Sequence, residues 1–163
     1  MNDEYMNIEN EYTHFDQLID IIKNYPERPS WDDYFVMNCF LISKRSPCNR
    51  LHVGCVVVKD NRIVTTGYNG FMSGTSHVGY VRDNHEQFTI HAEVNAVTDA
   101  VKRGISLQDS KVYITHFPCL NCCKTLISSG IKKIIYCEDY KNDELVYKYC
   151  QKCDVIIKKK IEI

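Results

Sequence analysis

The chain has no long apolar run. Nothing in its 163 residues approaches the roughly 18 to 20 consecutive apolar residues of a membrane span, so no membrane partner is expected. It also lacks an excess of charge of either sign. With 20 Lys and Arg against 21 Asp and Glu, the formal net charge of -1 argues against a surface built to coat a nucleic-acid polymer. A basic start of the export-leader kind is missing as well: Asp3, Glu4, Glu9 and Glu11 occupy the first residues, and the expectation is a cytoplasmic protein. Internal repeats and low-complexity tracts are absent, which excludes stacked-repeat architectures.

What is present is ordinary in bulk and unusual in one residue type. A hydrophobic share of 44% and a charged share of 25% suit one globular domain long enough to bury a real core. The unusual feature is nine cysteines. Disulfide frameworks serve small secreted domains and pair evenly, so an odd count without a leader points to thiols kept reduced, some on metal and the rest buried as small apolar side chains.

Residues 1–27, with a weak apolar pattern at Phe15, Leu18, Ile19 and Ile22, read as an appended arm or extra helix, and 28–163 as the main domain. Ser30 before Trp31-Asp32-Asp33 is an N-cap followed by an acidic first turn, predicting a helix to about Ser46. The β-branched run Val53 to Val58, the turn residues Lys59-Asp60-Asn61 and Ile63 to Thr66 predict a hairpin. Gly67 to Glu86 reads as a long loop, a length that in compact domains goes with function. Helices near 91–103, 119–129 and 143–150 then alternate with strands near 112–115, 134–137 and 155–157. That alternation predicts a layered α/β domain.

Two short segments carry the chemistry: His91-Ala92-Glu93 and Pro118-Cys119-Leu120-Asn121-Cys122, each at a predicted helix start. A catalytic Zn²⁺ takes three protein ligands and keeps one position for water; His91, Cys119 and Cys122 supply three. Cysteines three apart in a first helical turn share a face, and the helix N-terminus favours the thiolate that binds metal. Glu93 is the candidate general base. Residues two apart on a helix diverge, so His91 and Glu93 converge only if the pair sits at the very start.

Together these segments form the H-x-E and P-C-x-x-C signature of zinc deaminases. Over residues 29–157 the chain resembles the deoxycytidylate deaminase family, also through Arg28 to Phe35, Lys44-Arg45-Ser46, Val53 to Val58, Gly67-Tyr68-Asn69-Gly70 and Ser129 to Lys133. The resemblance implies a three-layer α/β/α cytidine deaminase-like fold with a central mixed five-stranded sheet. It implies hydrolysis of dCMP to dUMP and ammonia, feeding dTTP supply, in a homo-oligomer, a hexamer by preference. It assigns Asn69 to the sugar hydroxyl and Tyr140 to the neighbourhood of the phosphate. It implies dCTP and dTTP effectors with Mg²⁺, near Lys44, Arg45, Gly70 and Lys102. Met72 and Val78 depart from the family pattern on the effector side of the loop. Some phage relatives hold a second, structural zinc in this loop, and Cys48, His77 and His85 are the candidates for one here.

Blander readings stand beside these. Asn69-Gly70 is also an ordinary turn dipeptide, and Glu93 an ordinary first-turn carboxylate. The competing functions are deamination of another free cytosine nucleoside or nucleotide, of guanine or of a tRNA base, and a non-catalytic zinc module that binds nucleotides. Near-neutral charge counts against the tRNA reading.

Overall fold

The computed structural model describes residues 14–83 and 85–160, except for the side chain of His85. Contacts divide the chain into two compact units that meet at Ser30 and Trp31. In the first, residues 14–23 form a helix, α1, on which Phe15, Ile21 and Ile22 are exposed. The expected arm is described only from residue 14 onward.

The second unit is built on a five-stranded sheet. Strand β1 (Gly54–Lys59) pairs antiparallel with β2 (Arg62–Tyr68), and the linking residues Asp60 and Asn61 both have positive φ, at 49° and 56°. That is the two-residue turn whose twist matches a hairpin, and Asp and Asn tolerate it. On its other edge β1 pairs antiparallel with β7 (Lys111–His116), which runs parallel to β8 (Lys133–Glu138), itself parallel to β9 (Ile156–Lys159). The order is β2-β1-β7-β8-β9.

Strand periodicity divides the core into two faces. Val56, Val58, Tyr113 and Ile135 point to one face, where Phe35 and Cys39 of α2 (Trp31–Ser43) cover them. Cys55, Val57, Val112, Ile114, Ile134 and Tyr136 point to the other. There they meet α3 (Ala92–Lys102), α4 (Leu120–Ser128) and α5 (Glu144–Lys152). Helices on both faces of one mixed sheet make the three-layer α/β/α architecture.

Two contacts set the layer spacing. A Cβ on Gly54 would lie 2.0 Å from the Cys39 carbonyl oxygen of α2, and one on Gly67 would lie 2.2 Å from the Ala92 oxygen of α3. Only glycine lets backbone approach backbone this closely. Tyr113 further pins α2 by donating its hydroxyl hydrogen to Asp32 at 2.6 Å.

Two sequence expectations need correction. Helix α2 stops at Ser43 rather than Ser46, because Lys44, Arg45 and Ser46 bond back three residues instead of four and Pro47 disfavours helical backbone in Ser46. The long loop is also not bare. Short strands β3 (Gly70–Phe71) and β6 (Thr89–Ile90) pair, as do β4 (Val81–Arg82) and β5 (His85–Glu86). Their two-residue length is too short for a hydrophobic period to register.

Candidate active site

The crossovers from β7 to β8 and from β8 to β9 place α4 and α5 on one face, so the carboxyl ends of β7 and β8 open where α3 and α4 begin. Parallel strands generally deliver ligands to this end. Here lies a cleft of about 730 Å³, a size suited to a small metabolite.

His91 occupies the N-cap of α3 with extended backbone (φ -63°, ψ 148°), and its ring makes no cap bond to the helix. The imidazole therefore turns to α4. Cys119 is the N-cap of α4, likewise extended (φ -67°, ψ 163°), and its sulfur accepts from the backbone N–H of Cys122 at 3.5 Å. His91 Nδ1 lies 3.6 Å from Cys119 Sγ and 3.3 Å from Cys122 Sγ. All three donor atoms fall within 4.8 Å of one another, the only such His, Cys, Asp or Glu group among the described residues. Zinc bonds of about 2.3 Å to sulfur and 2.0 to 2.1 Å to nitrogen, set tetrahedrally, demand N to S separations of about 3.6 Å. The three donors fit that ion.

Hydrogen bonding divides the proton affinities within the group. Bonds from Cys122 and from His91 pull the Cys119 thiol down to about 4, making it thiolate at neutral pH, while the bond to Cys119 and burial push Cys122 up, so a metal bound there displaces the Cys122 proton. The bond to Cys119 raises His91 in turn. Glu93, in the first turn of α3, is only 4% exposed. Burial raises its pKa, partly offset by hydrogen bonding that includes the Cys122 side chain. A carboxyl held back from water beside the donors, and not among them, is placed to move protons.

Around this centre, Asn69 is buried and both ends of its amide hold the cleft wall: Oδ1 accepts from Val53 N–H and Nδ2 donates to the Leu51 carbonyl, each at 2.7 Å. Tyr140 is half-buried in the lining, edge-on to His116 at 6.1 Å, with Lys141 Nζ 5.7 Å from its ring centre. Cys48 lines the cleft too, whereas His77 stacks on Phe71 at 5.3 Å. The His85 side chain, the third candidate ligand of a second metal centre, lies outside the described residues. Lys44, Arg45 and Lys102 are exposed and, like Gly70, stand outside the cleft lining.

Sequence reasoning missed Arg50, His116 and Lys141, all in the lining. His116 is fixed on both nitrogens, by Thr115 Oγ1 at 2.9 Å and Glu138 at 3.0 Å. Its position two residues before Pro118, where β7 runs into the cysteine pair, was the available signal. Nothing local marks Arg50 or Lys141, which reach the cleft through loop geometry.

Comparison with known proteins agrees with this architecture. Residues 29–138 match the cytidine and deoxycytidylate deaminase zinc-binding region. ComE operon protein 2 of Bacillus subtilis is 43% identical over 119 residues, covering 71% of this chain and 63% of that protein. Deoxycytidylate deaminase of Saccharomyces cerevisiae is 33% identical over 141 residues, covering 80% of this chain and 45% of the yeast protein. The chain thus spans less than two thirds of the length of either. A dCMP deaminase from the cyanophage S-TIM5, solved in complex with dCMP and dUMP, superposes with a TM-score of 0.75 at 30% identity, covering 82% of this chain and 99% of that one. The fold and the three-donor centre define a zinc-binding α/β/α protein. More particularly, the chain belongs to the cytidine and deoxycytidylate deaminase family, and Zn²⁺ is its cofactor. No helix among the described residues is long and apolar enough to cross a membrane.

Proposed function

We propose that the protein deaminates dCMP hydrolytically, giving dUMP and ammonia. The observation that carries this reading is the buried Glu93 carboxyl beside the His91, Cys119 and Cys122 donors, at the wall of a cleft sized for one nucleotide. The likeness to the cyanophage enzyme over nearly its whole length supports the choice of base and sugar.

His91 Nδ1 and the two sulfurs hold the zinc, which when bound supplies the Lewis acidity that lets water ionise near neutral pH. Glu93 takes a proton from the attacking water and passes it to the cytosine ring nitrogen. It then takes the second proton from the hydroxyl now on carbon 4 and gives it to the amino group, so the carbon–nitrogen bond breaks, the carbonyl forms, and one water is consumed for each ammonia released. Its burial keeps it a strong enough base to collect that proton. Asn69 offers its second Nδ2 hydrogen to the sugar while holding residues 51–53 in place. Tyr140 flanks the phosphate, and Lys141 and Arg50 are the lining cations that offset its charge.

The finer partners belong to the same proposal. Lys44, Arg45 and Lys102, exposed outside the cleft, serve with Gly70 an effector nucleotide, dCTP or dTTP with Mg²⁺. Exposed Met37 and Leu41 on α2 suit a homo-oligomer, a hexamer by preference, acting in the cytoplasm and supplying dTTP synthesis.

Ammonia release from dCMP, CMP, deoxycytidine and dCTP, with and without added dCTP, tests the reading. Turnover of dCMP at least tenfold above the others is expected. Preference for an unphosphorylated nucleoside would overturn it.

A further inference from the structure

Seven cysteines lie outside the His91, Cys119 and Cys122 donor set, and three of them gather behind it. Cys123 follows the donor Cys122 on α4, and its sulfur lies 3.7 Å from that of Cys150 on α5. Both are fully buried. Three residues beyond Cys150, Cys153 caps the end of α5 and is exposed. The sequence Cys150-Gln151-Lys152-Cys153 is therefore a Cys-x-x-Cys pair with one thiol in solvent, one in the core, and a third thiol in contact with the core one.

We infer that this trio is an oxidation site at which a peroxide, entering at Cys153, leaves a disulfide between Cys123 and Cys150. The two buried thiols have no direct access to an oxidant, and Cys153 gives them one. Its thiolate attacks a peroxide oxygen, forming the sulfenic acid and releasing hydroxide. The Cys150 sulfur displaces that hydroxyl as water, closing a Cys150–Cys153 disulfide across one helical turn. Cys123 then attacks Cys150, and Cys153 leaves as the thiol. In sum, two thiols and one hydrogen peroxide give one disulfide and two waters; sulfur is oxidised and the peroxide oxygens are reduced. The sulfurs of Cys123 and Cys150 must close from 3.7 Å to about 2.05 Å, a shift within reach of side-chain rotation and a slight approach of α5. Because Cys122 precedes Cys123, the bond ties the helix that carries two metal donors to the end of α5.

The test uses the zinc-loaded full chain treated with a few equivalents of hydrogen peroxide, alkylated under denaturing conditions and read by intact mass and by fragmentation of linked peptides. The expected result is loss of two alkylatable thiols, a link localised to Cys123 and Cys150, and full reversal by dithiothreitol. C153S, a surface change, should slow the link at least tenfold with zinc content unchanged. The inference is overturned if Cys123 and Cys150 stay alkylatable, if the link runs to Cys119 or Cys122, or if C153S reacts at the wild-type rate. None of these readouts depends on which substrate the protein deaminates.

Discussion

Single side chains here do two kinds of work, and Asn69 does one of them while standing beside the other. Its amide satisfies Leu51 and Val53, so the wall facing the metal centre keeps its shape through this one residue. N69A leaves a part-buried N–H and a part-buried carbonyl without their partner, at a cost of about 1 kcal/mol each. Urea denaturation should show a fall in stability of that order, and KM for dCMP should rise as the wall loosens. At the metal, Cys122 is the donor closest to His91 and the one in touch with Glu93. C122S should leave purified protein with little zinc by elemental analysis, since a hydroxyl does not ionise to replace a thiolate. Retention of full zinc would remove Cys122 from the ligand set.

Among the elements, the starts of α3 and α4 decide where chemistry happens. Both open on an extended N-cap whose side chain turns away from its own helix or bonds only within the first turn. This is how His91 and Glu93, which diverge on an ideal helix, serve one centre. The seat of α3 is set by Gly67, where even a methyl group collides with backbone. G67A should lower stability by roughly 1 to 3 kcal/mol, as overpacked sites do, and weaken zinc retention because α3 must back away from β2. Unchanged denaturation and zinc content would show that α3 is not held there.

The elements also show what sequence could and could not tell. The hairpin was legible because Asp60-Asn61 is turn chemistry between apolar runs, and the metal donors because cysteine spacing at a helix start has few other uses. Helix α2 overran its real end because Pro47 acts on the residue before it. The ribbons β3 to β6 were hidden because two-residue strands carry no period. Arg50 and Lys141 could not be ranked as cleft residues before the chain was folded, since loops from separate segments bring them to the cleft.

At the scale of the whole molecule, a metal that binds only the folded chain adds its binding free energy to stability. A free ligand concentration of 1,000 Kd is worth about 4 kcal/mol, which for a domain of this size moves the melting temperature by roughly 10 °C. Chelation with EDTA should produce a fall of that order in a thermal melt, restored by added Zn²⁺ and not by Mg²⁺. An unchanged melt after verified zinc removal would mean that the centre contributes nothing to folding.

The account rests on a division of labour in which His91, Cys119 and Cys122 keep the metal and Glu93 moves the proton. E93Q separates the two, because the amide matches the carboxyl in shape and cannot take up a proton. Zinc content and dCMP turnover measured on the same E93Q preparation should show the full metal complement with turnover down by about 10²- to 10⁴-fold. Wild-type turnover, or loss of the zinc, would contradict it.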